Sequence, residues 1–214
     1  MSDAEGLLAV RALACVRGDR PLFAGLSFTL EAGEALHIRG PNGLGKTTLL
    51  RALCGLSRPA RGEVRWRGAR VSDLGEEFTA EVAFVGHLNG IQGDLTAREN
   101  LEMTKRIFVR GAAPDVRAVL ERVGLKAQSA RPARYLSQGQ KRRLALARLL
   151  VLRRPLWVLD EPFTALDVQS VAQLSSVIAE HMEGGGVALV VSHQAFTVPG
   201  IRDLELAHYG KRRA

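Results

Sequence analysis

Aromatic side chains make up only 5% of the 214 residues, and cysteine occurs twice. So few aromatics leave no stacking platform of the kind single-strand nucleic-acid binders use. Cys15 and Cys54 stand isolated in apolar contexts. They have neither metal-site spacing nor a C-x-x-C-H haem-attachment motif, and they read as small buried hydrophobes. No apolar run approaches the ~18–20 residues that cross a bilayer, and GVALVV (186–191) is about strand length. The opening MSDAEGLLAV has no basic stretch followed by an apolar one, so no secretion signal is expected. Repeats of 20–50 residues and low-complexity segments are also missing. A chain with these absences is expected to stay in the cytosol unless a partner holds it at a membrane.

What is present is an ordinary globular composition, 46% hydrophobic and 24% charged in 23.2 kDa. That suffices for a full core and one domain over residues 1–214. A net charge of +8 and a pI near 10.3 suit an acidic partner: nucleic acid, an anionic membrane face or nucleotide phosphates. The stretch QKRRLALARLLVLRR and the tail GKRRA (210–214) read as solvated surface or as attraction to anionic lipid, at about 1 kcal/mol per nearby basic residue.

Short apolar strands alternate with amphipathic helices. EALHIRG, GEVRWRG, EVAFVG, LWVLDE and VALVVSH read as strands. KTTLLRALCG, DVRAVLERVGL, QGQKRRLALARLLVLR and LDVQSVAQLSSVIAEHM read as helices. The last of these carries an apolar stripe of Val171, Leu174, Val177, Ile178 and Ala179. The alternation predicts an α/β domain with a largely parallel core sheet. The stretch up to about Leu36 is expected to add an antiparallel β edge. Residues 96–135 lack strand signals and predict a helical insertion, the core of a helical subdomain spanning about 96–150.

GPNGLGKT (Gly40, Pro41, Asn42, Gly43, Leu44, Gly45, Lys46, Thr47) follows a strand and opens a helix, the context required of G-x-x-x-x-G-K-[ST]. Glycines let successive N–H groups point at phosphate oxygens, and the helix adds its positive end. Lys46 would reach the β- and γ-phosphates and Thr47 would offer a hydroxyl to Mg²⁺, with Thr48 next in the nucleotide site. LWVLDE delivers Asp160 to the end of a buried strand to hold the Mg²⁺ shell, and Glu161 to act as general base. In YLSQGQKRRLALAR, Ser137 is expected to cap a helix and leave the N–H groups of Gln138, Gly139 and Gln140 free.

The spacing L-S-x-G-Q resembles the signature of ABC ATPases. The resemblance extends over nearly the whole chain: phosphate loop, signature, LWVLDE, the ALD at 165–167 and the late histidine of VVSHQ stand in that family's order. It implies head-to-tail pairs with two ATP molecules, each with Mg²⁺, sandwiched between cassettes. On that pattern Ser137, Gln138, Gly139 and Gln140 meet ATP held by the partner copy, and Asp167 lies at the dimer seam. His193 contacts the γ-phosphate near Glu161, so Lys46, Glu161 and His193 form the catalytic set. With one cassette in this chain, a homodimer is the simplest assembly.

Two positions depart from the family's pattern. His87, in FVGHLNG, stands where a glutamine usually contacts Mg²⁺. A neutral imidazole can still accept a hydrogen bond or reach the metal, without an amide's paired donor and acceptor. Arg17 stands where an aromatic usually stacks on adenine, and a guanidinium plane can stack there too. GHLNGIQGDLTARENL, LACVRGDRPLF and the short total length resemble, more narrowly, the ATP-binding subunits of bacterial cytochrome c maturation systems. That resemblance implies a peripheral subunit on the cytoplasmic face of the inner membrane, with integral-membrane partners bound through 87–99. It also implies ATP hydrolysis driving haem export or release of a haem-loaded chaperone. His37, His87, His181, His193 and His208 are scattered, so haem is not expected to bind this subunit directly. The alternatives are another small-molecule ABC transporter and a soluble nucleic-acid- or ribosome-associated ABC ATPase. Only 90 residues separate Lys46 from Ser137, too few for the coiled-coil insertion of that last class, and no nucleic acid is expected as partner.

Overall fold

The computed structural model describes residues 6–18, 20–112 and 114–210. Two sheets organise them. Five strands run in the order β6 (Val82–Val85), β7 (Leu156–Asp160), β8 (Val187–Val191), β3 (Ala35–Arg39), β9 (Arg202–Glu205). Each neighbouring pair in this sheet is parallel. Its middle strands are almost wholly buried, which is why they read as continuous apolar runs and not as alternation.

The second sheet is antiparallel, in the order β2 (Arg20–Leu30), β1 (Leu8–Arg17), β4 (Arg61–Trp66), β5 (Ala69–Arg70). The antiparallel part is therefore a sheet of its own, and Leu36 belongs to the parallel one. Its inward residues, with Trp66, Phe23 and Leu13, meet α1 (Lys46–Leu53) and one face of the parallel sheet in a common core. Cys15 and Cys54 lie in that core; burial pushes their thiols up to about 11 and about 12, so neither is reactive near neutrality. Two single-turn helices, α2 (Val71–Leu74) and α3 (Glu76–Thr79), lead from β5 to β6.

On the other face of the parallel sheet, α6 (Gln138–Leu152) and α7 (Val168–Glu183) close a second core, which takes in the predicted stripe of α7. The predicted insertion contains α4 (Ala97–Phe108), α5 (Val116–Arg122) and short 3₁₀ turns, and packs its own apolar cluster against α6. Thr96 starts α4 with a capping box: its hydroxyl accepts from the Glu99 N–H while Glu99 accepts from the Thr96 N–H. Buried Asn100 then holds the preceding loop, donating to the carbonyls of Gln92, Leu95 and Thr96 and accepting from the Gln92 N–H. Of the tail GKRRA, residues 211–214 lie outside the described residues.

The basic string on α6 is not uniformly solvated surface. Arg142 is 4% exposed and faces inward. In helical register it shares a stripe with Ala145, Leu146 and Leu149, all in the second core.

Candidate nucleotide site

The C-terminal edge of the parallel sheet carries the chemistry, as open α/β sheets dispose it. Strand β3 runs into the loop 40–45, and α1 begins at Lys46. Gly45 takes φ 99°, and a Cβ there would fall 2.7 Å from Leu22 Cδ1, so the turn into α1 has room for hydrogen alone. Lys46 Nζ folds back on this loop, donating to the carbonyls of Gly40 (2.6 Å) and Pro41 (3.2 Å). Burial draws its pKa down, opposed by the carboxylates of Glu161, Asp160 and Glu205.

Thr47 Oγ1 donates to Asp160 Oδ2 across 2.9 Å, joining the start of α1 to the end of β7. The next residue, Glu161, has φ 51°, a left-handed conformation uncommon for a side chain of its size. Its N–H donates to the Val191 carbonyl, and its Oε2 accepts from the His193 N–H at 3.1 Å. His193 Nε2 lies 3.1 Å from Lys46 Nζ and 2.8 Å from Asn42 Oδ1. A single ring nitrogen can accept from the lysine or donate to the amide oxygen, not both, so the tautomer selects the partner.

These groups surround one cavity of about 500 Å³, which His87, Arg17 and Thr48 also line. That volume suits a nucleotide-sized ligand. His87 is exposed, just beyond β6. Both positions that depart from the family's pattern thus face the same space as Lys46 and Glu161. A larger cleft of about 790 Å³ opens at the other end of the sheet, where β7 and β8 begin, and it contains none of these groups.

A hydroxyl and a carboxylate oxygen meeting beside a phosphate loop are hard donors. Mg²⁺ takes one or two protein oxygens together with phosphate and water, so Thr47 and Asp160 fit it. No cluster of three His, Cys, Asp or Glu capable of an all-protein cage occurs among the described residues.

Ser137, Gln138, Gly139 and Gln140 do not line this cavity. They form the first turn of α6 under a capping box: Ser137 Oγ accepts from the Gln140 N–H (3.2 Å) and Gln140 Oε1 accepts from the Ser137 N–H (2.9 Å). The Gln140 N–H, expected to be free, is therefore occupied, because the capping hydroxyl of Ser137 turns onto it, while the Gln140 side chain completes the box by accepting from the Ser137 N–H. Asp167 caps α7, accepting from the Ser170 N–H at 2.8 Å, and that bond holds its carboxyl below the usual range.

Arg142 belongs to this site and was not singled out by its sequence context. Its guanidinium donates to the carbonyls of Asp160 (2.9 Å), Glu161 (2.8 Å) and Pro162 (3.1 Å) from behind the turn that follows β7. The helical register with Ala145, Leu146 and Leu149 is the one signal that could have found it.

Residues 23–164 match the ABC transporter family. The chain is 48% identical over 197 residues to the cytochrome c biogenesis ATP-binding export protein CcmA of Dechloromonas aromatica, covering 91% of this chain and 97% of that protein. It is 47% identical over 193 residues to the protein of the same name from Escherichia coli O157:H7, covering 90% and 92%. A putative ABC transporter ATP-binding protein of Pyrococcus furiosus shares the fold at TM-score 0.83 and 24% identity, over 95% of this chain and 99% of that one. The dimeric bacterial ABC transporter cassette MJ0796 superposes at TM-score 0.79 with 25% identity, over 93% and 94%. Fold and family match together define an ABC ATPase cassette. Within that class, the chain belongs to the family of cytochrome c biogenesis ATP-binding export proteins.

Proposed function

We propose that the chain is the ATP-hydrolysing subunit of a haem-export complex for c-type cytochrome biogenesis, and that hydrolysis takes place in the 500 Å³ cavity. The observation that carries this reading is convergence: Lys46, the Thr47–Asp160 pair and the Glu161–His193 pair, drawn from three separate stretches of chain, face one space.

Backbone N–H groups of residues 40–48 cradle the phosphates, aided by the positive end of α1. Lys46 exchanges the Gly40 and Pro41 carbonyls for phosphate oxygens. Thr47 and Asp160 hold Mg²⁺, which when bound offsets the phosphate charge, and His87 stands beside them in the glutamine's place. Glu161 accepts the proton of the attacking water. His193 steadies that carboxylate through its backbone N–H and presents its ring to the γ-phosphate. Arg17 stacks on the base.

Because Ser137 and Gly139 lie outside the cavity, they act on ATP held by a second copy, which makes the working unit a homodimer. Residues 87–99 contact the integral-membrane partners from the cytoplasmic face of the inner membrane; Leu88, 86% exposed, is an apolar side chain with no cover of its own. No helix among the described residues is long and apolar enough to cross a membrane, which accords with a peripheral attachment. Haem itself does not bind this subunit directly, whether hydrolysis drives its export or the release of a haem-loaded chaperone.

The test is haem staining of c-type cytochromes in cells whose only copy carries Lys46→Ala. Selective loss of c-type cytochromes, with b-type haem proteins spared and the variant accumulating normally, supports the reading. Unchanged c-type cytochromes in such cells remove the assignment to cytochrome c biogenesis.

A further inference from the structure

We propose that Arg142 is the positioning residue that sets the Glu161 carboxylate and ties it to the loop carrying His87. The proposal rests on the reading of Glu161 as general base. A guanidinium has five N–H donors in a rigid plane. In Arg142 they meet five acceptors: Nε the Pro162 carbonyl, Nη2 the carbonyls of Asp160 and Glu161, Nη1 the Gly86 carbonyl (2.8 Å) and Asn89 Oδ1 (3.1 Å). None is a carboxylate, so this is not an ion pair. Burial opposes the charge and the nearby carboxylates of Asp160 and Glu161 offset that only in part, so what the five bonds chiefly supply is geometry.

That geometry has two arms. One holds three consecutive carbonyls, 160–162, around a residue in the left-handed region. Backbone conformation at Glu161 decides where its carboxylate points, so the arm acts on the base through the main chain. The other arm grips Gly86 and Asn89, which bracket His87 and the exposed Leu88. A displacement of the 86–89 loop therefore reaches the catalytic turn through one flat, inflexible group. Lysine, with three donors on a flexible stem, could satisfy only part of this set.

The experiment uses the full chain purified with its membrane partners through a tag on this chain. ATP hydrolysis is measured for Arg142→Gln, Arg142→Lys, Asn89→Ala and Glu161→Gln, normalised to protein that binds ATP, so that unfolded material does not count. Misplacing a catalytic group by about 1 Å can cost about a hundredfold, so Arg142→Gln is expected to lower kcat by that order, with KM for ATP within about threefold. Arg142→Lys is expected to recover part of the loss, and Asn89→Ala, which removes one of the two bonds of the loop arm and leaves the Gly86 carbonyl, to lower kcat about threefold. Wild-type kcat in Arg142→Gln overturns the proposal. If that variant fails to accumulate, wild-type kcat in both Arg142→Lys and Asn89→Ala overturns it instead. An inactive Glu161→Gln beside an active Arg142→Gln removes the positioning role and leaves the base in place. An active Glu161→Gln removes the reading of Glu161 itself, and the proposal with it.

Discussion

A side chain on Gly139 would begin 2.7 Å from the carbonyl oxygen of Ala165. Ala165 takes φ 64° in the turn between β7 and α7, so the carbonyl belongs to backbone that is already constrained. The signature glycine thus has a packing reason within one chain, beside any role toward a partner's nucleotide. In an exposed helix, Gly→Ala gains up to about 1 kcal/mol. Here the obstacle is backbone and cannot rotate away, so Gly139→Ala is expected to cost about 1–3 kcal/mol. Thermal melting checks the sign, and a Tm at or above wild type would refute the clash. ATP titration should show the variant's own phosphate loop binding as before.

Glu161→Gln is expected to leave ATP affinity within a few-fold and to lower hydrolysis by about 10²–10⁴, the usual worth of a general base. The amide keeps the shape and can still accept from the His193 N–H, so the neighbouring loop stays in place. Equilibrium ATP binding alongside single-turnover hydrolysis separates the two quantities. Retained hydrolysis would mean that another group takes the proton.

Much of this was legible in the sequence, for physical reasons that differ by element. β7 and β8 are buried on both faces, so their apolar runs stand out. The loop 40–47 is legible because only glycine tolerates its turns, and Ser137 because capping needs a short polar side chain. β9 was not legible: RDLE is an exposed edge with a single buried residue. The four-residue α2 and α3 are too short to show a period. Arg142 was hidden because its neighbours Lys141 and Arg143 are also basic, and charge alone points to solvent. Its place on the stripe of Ala145, Leu146 and Leu149 outweighs its charge, since five acceptors await it inside.

His87 shares the cavity with Thr47 and Asp160 but has no hydrogen-bond partner among the described residues. A side chain so placed contributes little to folding. His87→Ala is therefore expected to leave Tm within about 2 °C, since exposed substitutions move stability by less than about 0.5 kcal/mol. It is expected to lower kcat about tenfold through lost hydrogen bonding near the metal, and His87→Gln to restore most of that activity. Equal rates in all three proteins would make His87 a spacer.

His181 stacks flat on Trp157, with ring centroids 3.8 Å apart and planes 5° from parallel, and its Nε2–H donates to the Val187 carbonyl. A Cβ on Gly186 would fall 2.1 Å from the ring, so the imidazole occupies a seat that glycine leaves open. Burial pushes its pKa down, and the Val187 and Pro155 carbonyls oppose that shift only in part. In the unfolded chain the ring takes up a proton near about pH 6.5. Between the depressed folded value and about 6.5 the unfolded state holds more protons, so stability rises with pH across that window and is level above it. Acidification therefore destabilises the fold through His181 until the folded form is protonated too. Replacing the ring by His181→Phe keeps an aromatic on Trp157 and removes the titration. Melting curves of both proteins from pH 5 to 8 isolate the effect, because every other titrating group is common to the two. The wild type should lose more stability than the variant on descending below about 6.5, with a constant difference above 7. Parallel curves over the whole range would show that His181 is protonated as readily in the fold as out of it.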